Sequence, residues 1–459
     1  MIDHSVKVSV LMPSYNVADY IDECIKSVLS QDFSEIELLC LDAGSIDGTI
    51  DIIEAYAAKD NRISFIKCSK RSYGAQMNIG LRRSRGKYVI IVETDDYVTP
   101  NMISTLYKSA EKNEAEMVKG AYFKVYESKD GRRVERAFHY IPARVREGVP
   151  FSPYSDLSIH LWDPNIWCGI YRTDFLKNNA IEFHETRGAA FQDIGFKHRV
   201  LSKAKRIMYI DTPLYYYRLT RNEASTWNNQ CLYNTYYEYS SLLEDKQIGI
   251  EHKSYIYARL AASFLHEYDK VLQMADYDEK QLSQIEEYKT WFRSAIKNVY
   301  YQNRGSALWI SDDNDRILSC FLRSEEEYIA NRKEMRDCIL NWQRKILSMV
   351  KRGGIVVVGC SQIGKHIIEF EHKNGVLPLC VADNNFKLWG TEFISHTVCS
   401  LLQSIEKYPA CGFVIACKNS KETIRRQLRT LGVQEDRIMN AETENEIFCK
   451  AIAFEPVLL

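Results

Sequence analysis

Hydrophobic residues in the first hundred positions follow two alternating patterns. Segments rich in apolar and β-branched residues predict strands at residues 6–12, 37–41, 63–68 and 87–92. Between these runs, apolar residues recur at helical spacing, as at Ile21, Ile25 and Val28. Because strands that alternate with helices form parallel sheets, this pattern predicts an α/β domain.

The pattern changes twice further along the chain. From about residue 228 to 352 it is helical, with stripes such as Leu260, Phe264 and Tyr268. After Gly353 and Gly354 a strand and helix pattern returns in "IVVVGCSQIGKHIIEF", "LPLCVADNN" and "CGFVIACK". We therefore predict three domains, at residues 1–227 (α/β), 228–352 (a helical middle region) and 353–459 (a second α/β domain).

Composition and charge narrow the class of protein. The chain of 459 residues has 60 Lys and Arg against 61 Asp and Glu, so it lacks the broad basic field that a nucleic-acid partner needs. Thirteen cysteines without CxxC pairs fit reduced thiols of a cytosolic protein and argue against a zinc site. No apolar run approaches the ~20 residues needed to cross a bilayer, and residues 1–9 have no secretory h-region. We expect a cytoplasmic protein.

Three acidic residues follow the fourth predicted strand, in "IVETDDYV" (residues 90–97). Glu93, Asp95 and Asp96 would raise one another's pKa unless a cation neutralised them. Oxygen ligands without His or Cys favour Mg²⁺ or Mn²⁺, ions that commonly bridge to nucleotide phosphates. We therefore predict binding of a metal and a diphosphate here, with an exposed helix-capping turn as the alternative.

Two other loops begin at the carboxyl ends of predicted strands, "MPSYN" (residues 12–16) and "LDAGSIDGT" (residues 41–49). Open α/β sheets bind ligands at this edge, so the three loops should converge. Asp42 is a candidate to accept hydrogen bonds from a base or ribose. Ser45 and Asp47 are expected to cap the next helix.

The stretches "VSVLMPSYNVADYIDECIKSVLSQ", "LDAGSIDGT" and "SYGAQMNIGLRRSRGKYVIIVETDD" together resemble the family 2 glycosyltransferases, which have a GT-A fold. The resemblance covers about residues 6–221 and implies a nucleotide-sugar donor, expected to be uridine-based. It also implies that Glu93 and Asp95 hold Mn²⁺ or Mg²⁺ on the diphosphate. Glu93 stands where the family more commonly has Asp, so a ribose contact is its alternative role. The implied donor-binding residues are Pro13, Tyr15, Asp42, Gln76, Asn78, Glu93, Asp95 and Asp96.

The same family has its catalytic base in an acid-Asp pair about a hundred residues later. "GAAFQDIGFKHRV" (residues 188–200) matches, with Gln192 in place of the usual Glu and Asp193 as the base. A sugar hydroxyl has a pKa far above 7, so a carboxylate must take its proton as it attacks the anomeric carbon. The resemblance implies inversion in one displacement. Capping of a helix is the bland role for Asp193, and Glu185 and His184 are the next candidates for the base.

Two further stretches, "WCGIYRTDFL" (residues 167–176) and "DTPLYYYRLTRNEAST" (residues 211–226), resemble the acceptor-binding half of the domain in that family. We expect Trp167 to line the acceptor site, because aromatic faces suit the C–H surfaces of sugars. Arg218 or Arg221 is expected to meet a phosphate, and Arg218 is the acceptor-binding candidate. The implied acceptor is a glycan or lipid-linked sugar of a surface polysaccharide pathway.

"VVVGCSQIGKHI" resembles a Rossmann phosphate turn, with Ser361 at the middle glycine position and Asp383 where a ribose-binding acid belongs. A serine there crowds the pyrophosphate, so we do not expect NAD. The resulting prediction is a Rossmann-like docking or oligomerisation module, through which the protein would form a homo-oligomer. A nucleotide or sugar-nucleotide binder and a redox domain are the alternatives.

Residues 341–352 place Trp342, Ile346 and Met349 on one helical face, with basic residues elsewhere. A packed linker helix is our prediction, and peripheral contact with an anionic membrane is the alternative.

Two other functions compete with a metal-dependent inverting glycosyltransferase. A glycoside hydrolase would use Asp95 and Asp193 as paired carboxylates facing one bond. A non-catalytic sugar-nucleotide scaffold would explain Gln192 and Ser361.

Overall fold

The computed structural model describes residues 6–127, 131–139, 141, 145–161, 165–219, 231–274, 285–303, 312–417 and 420–441. The described residues form two compact units. The first takes the chain up to Phe123, then Ala137 to Arg218, and the helical region up to Leu322. The second takes Lys124–Arg136, Leu219 and the residues from Arg323 onward.

Nine of the described strands form one sheet, and their bounds are β1 (Val8–Ser14), β2 (Ile36–Asp42), β3 (Ile63–Lys67), β4 (Tyr88–Ile91), β5 (Tyr97–Val98), β6 (Met117–Glu127), β7 (Arg133–Phe138), β8 (Gly169–Arg172) and β9 (Ile207–Arg218). The strand order is β3-β2-β1-β4-β8-β6-β9-β5, and β7 pairs with β6. The first four strands are parallel, whereas β8 is antiparallel to β4 and β6. The α/β class predicted from the sequence is confirmed.

The parallel half of this sheet explains the apolar segments of the first hundred residues. Every residue of β1 and β2 is buried, because helices cover both faces of such a sheet. These helices and those of the antiparallel half are α1 (Ala18–Leu29), α2 (Thr49–Ala57), α3 (Tyr73–Arg83), α4 (Met102–Lys112), α5 (Thr173–Asn178) and α6 (Gln192–Lys203). The stripe predicted for α1 is its buried face, with Ile21, Ile25 and Val28 inside.

The helical region of the first unit contains α7 (Cys231–Glu244), α8 (Ile250–Met274), α9 (Glu286–Asn303) and α10 (Asp312–Arg323). Its core is aromatic. Phe264 of α8 stacks on Phe292 of α9 with 3.8 Å between ring centroids, and both contact Phe321 of α10. The stripe predicted at Leu260, Phe264 and Tyr268 is therefore the buried face of α8.

The second unit begins its main part with α11 (Glu325–Arg352) and continues as an α/β fold. The strands of its sheet are β10 (Ile355–Val358), β11 (Cys380–Ala382), β12 (Glu392–Phe393), β13 (His396–Cys399), β14 (Gly412–Ile415) and β15 (Ile438–Asn440). They have the order β12-β13-β11-β10-β14-β15, and all neighbours except β12 and β13 are parallel. The helices packed on it are α12 (Gln362–Lys373), α13 (Leu401–Lys407) and α14 (Lys421–Thr430).

The apolar face of α11 is part of the core of the second unit. Trp342, Ile346 and Met349 pack with residues of β10 and β14, and the indole N–H of Trp342 donates to Glu371 (2.7 Å). This face is therefore not available to a membrane surface. The division into three domains stays a prediction; the structure places α11 with the sheet that follows it.

Within the described ranges, no helix is both long enough and apolar enough to span a lipid bilayer.

Candidate active site

The loops that follow β1, β2 and β4 meet at the carboxyl edge of the first sheet. Ser14 lies opposite Asp42 in the parallel register of β1 and β2. After β4, the hydroxyl of Thr94 donates to the carbonyl oxygen of Pro13 (2.6 Å). The side-chain amide of Gln76, from α3, donates to the backbone of the first two loops at 2.9 Å and 2.5 Å. The three loops expected to converge therefore form one surface.

Asp42 is fully buried, and its carboxylate accepts four hydrogen bonds. One oxygen accepts from the backbone N–H groups of Gly44 and Ser45, each at 2.8 Å. The other accepts from the hydroxyls of Ser14 (2.9 Å) and Ser45 (2.5 Å). These bonds occupy the lone pairs that a nucleoside contact would need, so in this conformation Asp42 shapes the loop. Its direct contact with a donor stays a prediction.

Three other predicted donor residues also have partners within the protein. The guanidinium of Arg71 lies 3.9 Å from the ring centroid of Tyr15 and covers one face of that ring. Asn78 exchanges two hydrogen bonds of 2.9 Å with the backbone of Phe183. Gln76, described above, links backbone groups. Tyr15 and Gln76 thus lie at the converging loops, whereas Asn78 lies against the segment between α5 and α6, and the roles of all three in donor binding stay predictions.

The acidic loop after β4 is held from β9 and α3. The phenol of Tyr73 donates to a carboxylate oxygen of Glu93 (2.7 Å). The hydroxyl of Tyr215 accepts from the backbone N–H of Glu93 (3.0 Å) and donates to Asp96 (2.9 Å). Asp96 is 1% exposed and also accepts from the backbone N–H of Arg218 (2.8 Å). Asp96 therefore anchors the loop. In this conformation its buried carboxylate is not open to a donor, so the predicted donor contact of Asp96 stays a prediction.

The carboxyl groups of three acidic residues come together here. Burial raises the pKa of the Glu93 carboxyl to about 8; the hydrogen bond from Tyr73 opposes this shift, and the charges of Asp95 and Asp193 add to it. Burial likewise raises the pKa of Asp96 well above its ordinary value, with Asp95 the largest charge contribution. These charge effects agree with the geometry, because Tyr73 binds Glu93 through its phenol and the loop that leads to Asp193 through its backbone N–H, so the two acidic segments border one site.

Asp193 reaches this site through the loop that precedes α6. Gly188 pairs with Ser72, and its carbonyl oxygen accepts from the backbone N–H of Tyr73 (2.9 Å). The buried amide of Gln192 donates to the hydroxyl of Thr186 (2.7 Å) and holds the same loop. Here the glutamine that replaces the family's usual Glu has a structural role, and Asp193 follows it in the first turn of α6.

The backbone at this point is constrained. Phe191, the residue before α6, has a φ of 75°, in the left-handed region that costs a non-glycine residue roughly 1–2 kcal/mol. A Cβ on Gly74 of α3 would lie 1.8 Å from the carbonyl oxygen of His184, so only glycine lets this loop rest on α3. Strain and close approach both occur beside the candidate base, as is common at functional sites.

The two reserve candidates for the base are engaged elsewhere. Nδ1 of His184 lies 2.9 Å from the carboxylate of Glu238, and its Nε2 accepts from Arg199 (2.7 Å). Glu185 forms an ion pair with Lys70. Neither nitrogen of His184 is free to take a proton in this arrangement, which leaves Asp193 as the better candidate.

The predicted acceptor residues lie at different depths. Trp167 is 8% exposed and stacks on Tyr215 (4.3 Å) and Tyr217 (4.9 Å), so it belongs to the core beneath the site. Arg218 donates to the carbonyl oxygen of Asp95 (2.6 Å) and forms an ion pair with Glu23. Both residues support the acidic loop from below, and contact of either with an acceptor stays a prediction. Arg221 lies outside the described residues.

The residues present fit a hard divalent cation. Glu93 and Asp95 offer only oxygen, and a half-buried carboxyl crowded by like charges is where a cation is strongly stabilising. Among the described residues, no group of three or more His, Cys, Asp and Glu side chains could hold a metal alone. Mg²⁺ is commonly held by one or two carboxylates together with phosphate oxygens, so the site suits an ion that binds with a diphosphate.

Sequence reasoning missed two tyrosines of this site. Tyr73 joins the acidic loop to the loop before α6, which we call the base loop because it leads to Asp193. Tyr215 joins the acidic loop to β9. No alternation distinguishes Tyr215 in "LYYYR", where the adjacent Leu214 and Tyr215 are both fully buried. No pattern in the sequence marks the phenol of Tyr73 as a partner of Glu93.

The turn after β10 in the second unit is closed by its own side chains. Ser361 caps α12 by accepting from the backbone N–H of Gly364 (3.1 Å), and it donates to the carbonyl oxygen of Ala416 (2.6 Å). Asp383 accepts from the backbone N–H of Cys360 (2.8 Å). The serine thus occupies the helix N-terminus where a pyrophosphate would bind, and the expectation against NAD stays a prediction. The role of this unit stays a prediction.

Comparisons with known proteins place the first unit in context. Residues 9–178 match the family model described as "Glycosyl transferase family 2". Glycosyltransferase GlyG of Streptococcus pneumoniae is 31% identical over 216 residues, which are 46% of this chain and 70% of GlyG. The poly(ribitol-phosphate) beta-N-acetylglucosaminyltransferase TarS of Staphylococcus aureus is 28% identical over 224 residues, 47% of this chain and 36% of TarS.

A solved structure shares the fold. The crystal structure of S. aureus TarS 1–349 in complex with UDP-GlcNAc is similar with a TM-score of 0.54 and 21% identity, over 72% of this chain and 92% of that one. The GT-A fold expected from the sequence is confirmed. The family model and the relatives describe a transferase, and not the glycoside hydrolase considered as an alternative. The chain belongs to glycosyltransferase family 2.

Proposed function

We propose that the protein transfers a sugar, with inversion, from a uridine nucleotide-sugar donor to a glycan or lipid-linked acceptor in surface polysaccharide synthesis, and that it needs Mn²⁺ or Mg²⁺. The observation that carries this proposal is the link through Tyr73 between the acidic loop, with Glu93 and Asp95, and the loop that leads to Asp193. The solved relative of the same fold binds UDP-GlcNAc, and its name describes transfer to a poly(ribitol phosphate), which supports a donor and an acceptor of these classes.

The residues of this chain divide the work of such a reaction. Asp193 takes the proton of the acceptor hydroxyl as the oxygen attacks the anomeric carbon and the bond to the diphosphate breaks. Glu93 and Asp95 would hold the cation, which when bound offsets the charge of the diphosphate as it leaves. Tyr73 keeps Glu93 in place through its hydrogen bond, and Tyr215 keeps the backbone of the acidic loop in place.

The testing experiment is a panel of nucleotide sugars with Mn²⁺, read by thermal shift and by slow donor hydrolysis, which needs no known acceptor. We expect one UDP-sugar to stabilise the protein and to be hydrolysed, and EDTA to abolish both effects. Asp95→Asn should act like EDTA, with Asp174→Asn as the matched surface control. Full hydrolysis in EDTA would reject the cation, and hydrolysis of none of the donors would reject the proposed function.

The second unit is proposed to be a docking or oligomerisation module. A cytoplasmic location and peripheral contact with a membrane are likewise proposals, and the face of α11 is not the surface that would make that contact.

A further inference from the structure

A series of aromatic rings runs across α7 and α9 of the first unit. His184 contacts Tyr237 with 5.1 Å between ring centroids, and the series continues to Tyr233 (6.0 Å). From Tyr233 it passes to Tyr288 of α9 (5.9 Å), back to Tyr236 (5.2 Å) and on to Trp291 (4.9 Å). We call the aromatic strip the five residues Tyr233, Tyr236, Tyr237, Tyr288 and Trp291.

Helix periodicity places these rings on one surface. The tyrosines of α7 are spaced i, i+3 and i+4, and the two residues of α9 are spaced i and i+3, so each set shares a helix face. Tyr233 and Tyr237 are 37% and 39% exposed, and the other three are half-buried. The interior of α7 is formed by other residues, Leu232, Tyr239 and Leu242, all fully buried. Tyr233 and Tyr237 therefore lie on the outer side of α7, and exposed rings that are joined to half-buried ones in this way mark a candidate binding surface.

The strip is continuous with the candidate active site on the side of the base. His184, its first contact, belongs to the loop that rests on Gly74 of α3 and leads to Asp193. The imidazole of His184 is held by two residues that are not part of the aromatic strip. Glu238 lies at its Nδ1, and Arg199 donates to its Nε2. An acceptor whose hydroxyl reaches Asp193 would thus have the aromatic strip beside the rest of its chain.

We propose that the aromatic strip is a binding track for the acceptor glycan, on which successive sugar rings stack while the terminal hydroxyl reaches Asp193. This inference rests on the proposed function and adds to it an extended acceptor. The residue types favour sugar over other occupants, because tyrosine and tryptophan combine an apolar face with a polar edge. A membrane surface would instead select a helix face of Leu and Phe bordered by Lys and Arg.

The test compares chain length with the presence of the rings. Cello- and chito-oligosaccharides of one to six sugars are titrated into the full-length protein, with tryptophan fluorescence and saturation-transfer NMR as readouts. Hexamers should bind the wild type more tightly than dimers. Tyr233→Ala with Tyr237→Ala should weaken hexamer binding about tenfold, the scale of losing a central aromatic contact, and should remove the dependence on length.

Two controls separate stacking from damage. Tyr233→Phe with Tyr237→Phe keeps the ring faces and should retain most of the affinity. Phe386→Ala removes a 69% exposed ring of the second unit and should bind the oligosaccharides like the wild type. Thermal unfolding midpoints of all variants verify that they fold.

Three results would overturn the proposal. The first is binding by the wild type that does not depend on oligosaccharide length, and the second is equal binding by the alanine variant. The third is a wild-type dimer that becomes a monomer in the alanine variant while oligosaccharide binding is unchanged. The last would identify the aromatic strip as an interface between copies. Donor hydrolysis by the wild-type protein, measured without any glycan, tests the proposed function separately, so the two failures can be told apart.

Discussion

At the scale of single residues, Tyr73 joins the two halves of the site. Its phenol holds Glu93, and its backbone N–H holds the carbonyl oxygen of Gly188 in the loop before Asp193. The acids at these positions were predictable from the sequence as candidates, for a cation site from their residue types and for a base from the family resemblance. Their support was not, since a hydrogen bond between Tyr73 and Glu93 depends on how α3 packs against the sheet.

Asp42 and Trp167 also show that residue type alone does not predict a side chain's partners. Their residue types suit a nucleoside and a sugar, but the structure surrounds Asp42 with four donors and Trp167 with two tyrosine rings. Residue type reports what chemistry a side chain can do, whereas only packing decides which partner it has.

Asp193→Asn is the sharpest test at this scale. The amide cannot take the acceptor's proton, so we expect transfer to fall by about 10² or more while affinity for the nucleotide sugar stays near that of the wild type. Initial rates of transfer and calorimetric donor titration are the two measurements. Asp174→Asn, a surface change next to Arg172, is the control. Unchanged transfer would place the base on another residue.

At the scale of elements, α3 has two glycines with different tasks. A Cβ at Gly74 would strike the backbone of His184 at 1.8 Å, whereas a Cβ at Gly80 would meet side chains of Leu11 and Leu41 at 2.9 Å. The first contact is with the base loop and the second with the core. The existence of α3 follows from its sequence pattern, but the meaning of each glycine does not, because both lie in the same apparent helix.

Gly74→Ala and Gly80→Ala therefore form a matched pair. We expect Gly74→Ala to displace the loop that leads to Asp193 and to lower kcat at least tenfold, since small misplacements of catalytic groups are costly. Gly80→Ala should instead cost about 1–3 kcal/mol of unfolding free energy through overpacking, with kcat largely kept. Rate measurements and denaturant unfolding of both variants decide; the reverse assignment of effects would contradict the packing described here.

A second prediction for elements concerns acid. His372 of α12 and His396 of β13 are joined by a hydrogen bond of 2.7 Å between their Nε2 atoms. Burial lowers the pKa of His372 to about 3 and that of His396 to about 4. Unfolded histidine has a pKa of about 6.5, so below that value the unfolded chain binds protons that the folded one does not. The contribution of both imidazoles to stability is thus complete above about pH 6.5 and is lost as the pH falls towards 4 and 3.

The contribution of Glu371 to stability changes with pH in the opposite direction. Burial raises its pKa to about 7, so its favourable contribution is present below about pH 4.5 and is lost as the pH rises through 7. Two imidazoles against one carboxyl should make the second unit less stable at pH 5 than at pH 7.5. Hydrogen exchange of α12 peptides, corrected for intrinsic rates, measures this. His372→Phe with His396→Leu should flatten the dependence, and His366→Gln, on the exposed side of the same helix, should not.

At the scale of the whole molecule, the α/β, helical and α/β order was readable from the chain because hydrophobic period depends on local sequence. The unit into which a helix packs could not be predicted from the sequence. Residues Gly353 and Gly354 break the pattern, yet the helix before them, α11, packs its Trp342, Ile346 and Met349 with the strands after them. A local signal marks where an element ends but carries no information on what its apolar face covers.

Two truncations test this assignment. A chain ending at Arg352 keeps α11 but removes its strands, and exposing Trp342, Ile346 and Met349 costs about 1.5–3 kcal/mol for each. A chain ending at Leu322 removes the helix as well. We expect the shorter chain to aggregate less at equal concentration, as measured by light scattering. Equal solubility of the two, or better behaviour of the longer one, would show that α11 folds without the second sheet.

The segment Lys124–Arg136 has a consequence for synthesis. It belongs to the second unit, where Tyr126 contacts His372 and Arg136 pairs with Glu369, although α12 and the strands around it come from the far end of the chain. At about 5–20 residues per second, a ribosome needs roughly 15–60 s to pass from Arg136 to Asn440. Until α12 is made, this segment lacks its contacts with His372 and Glu369, although β8 and β9, the neighbours of β6 in the first sheet, are made much earlier. Yield in the cell should therefore depend on protection of this segment by chaperones during translation.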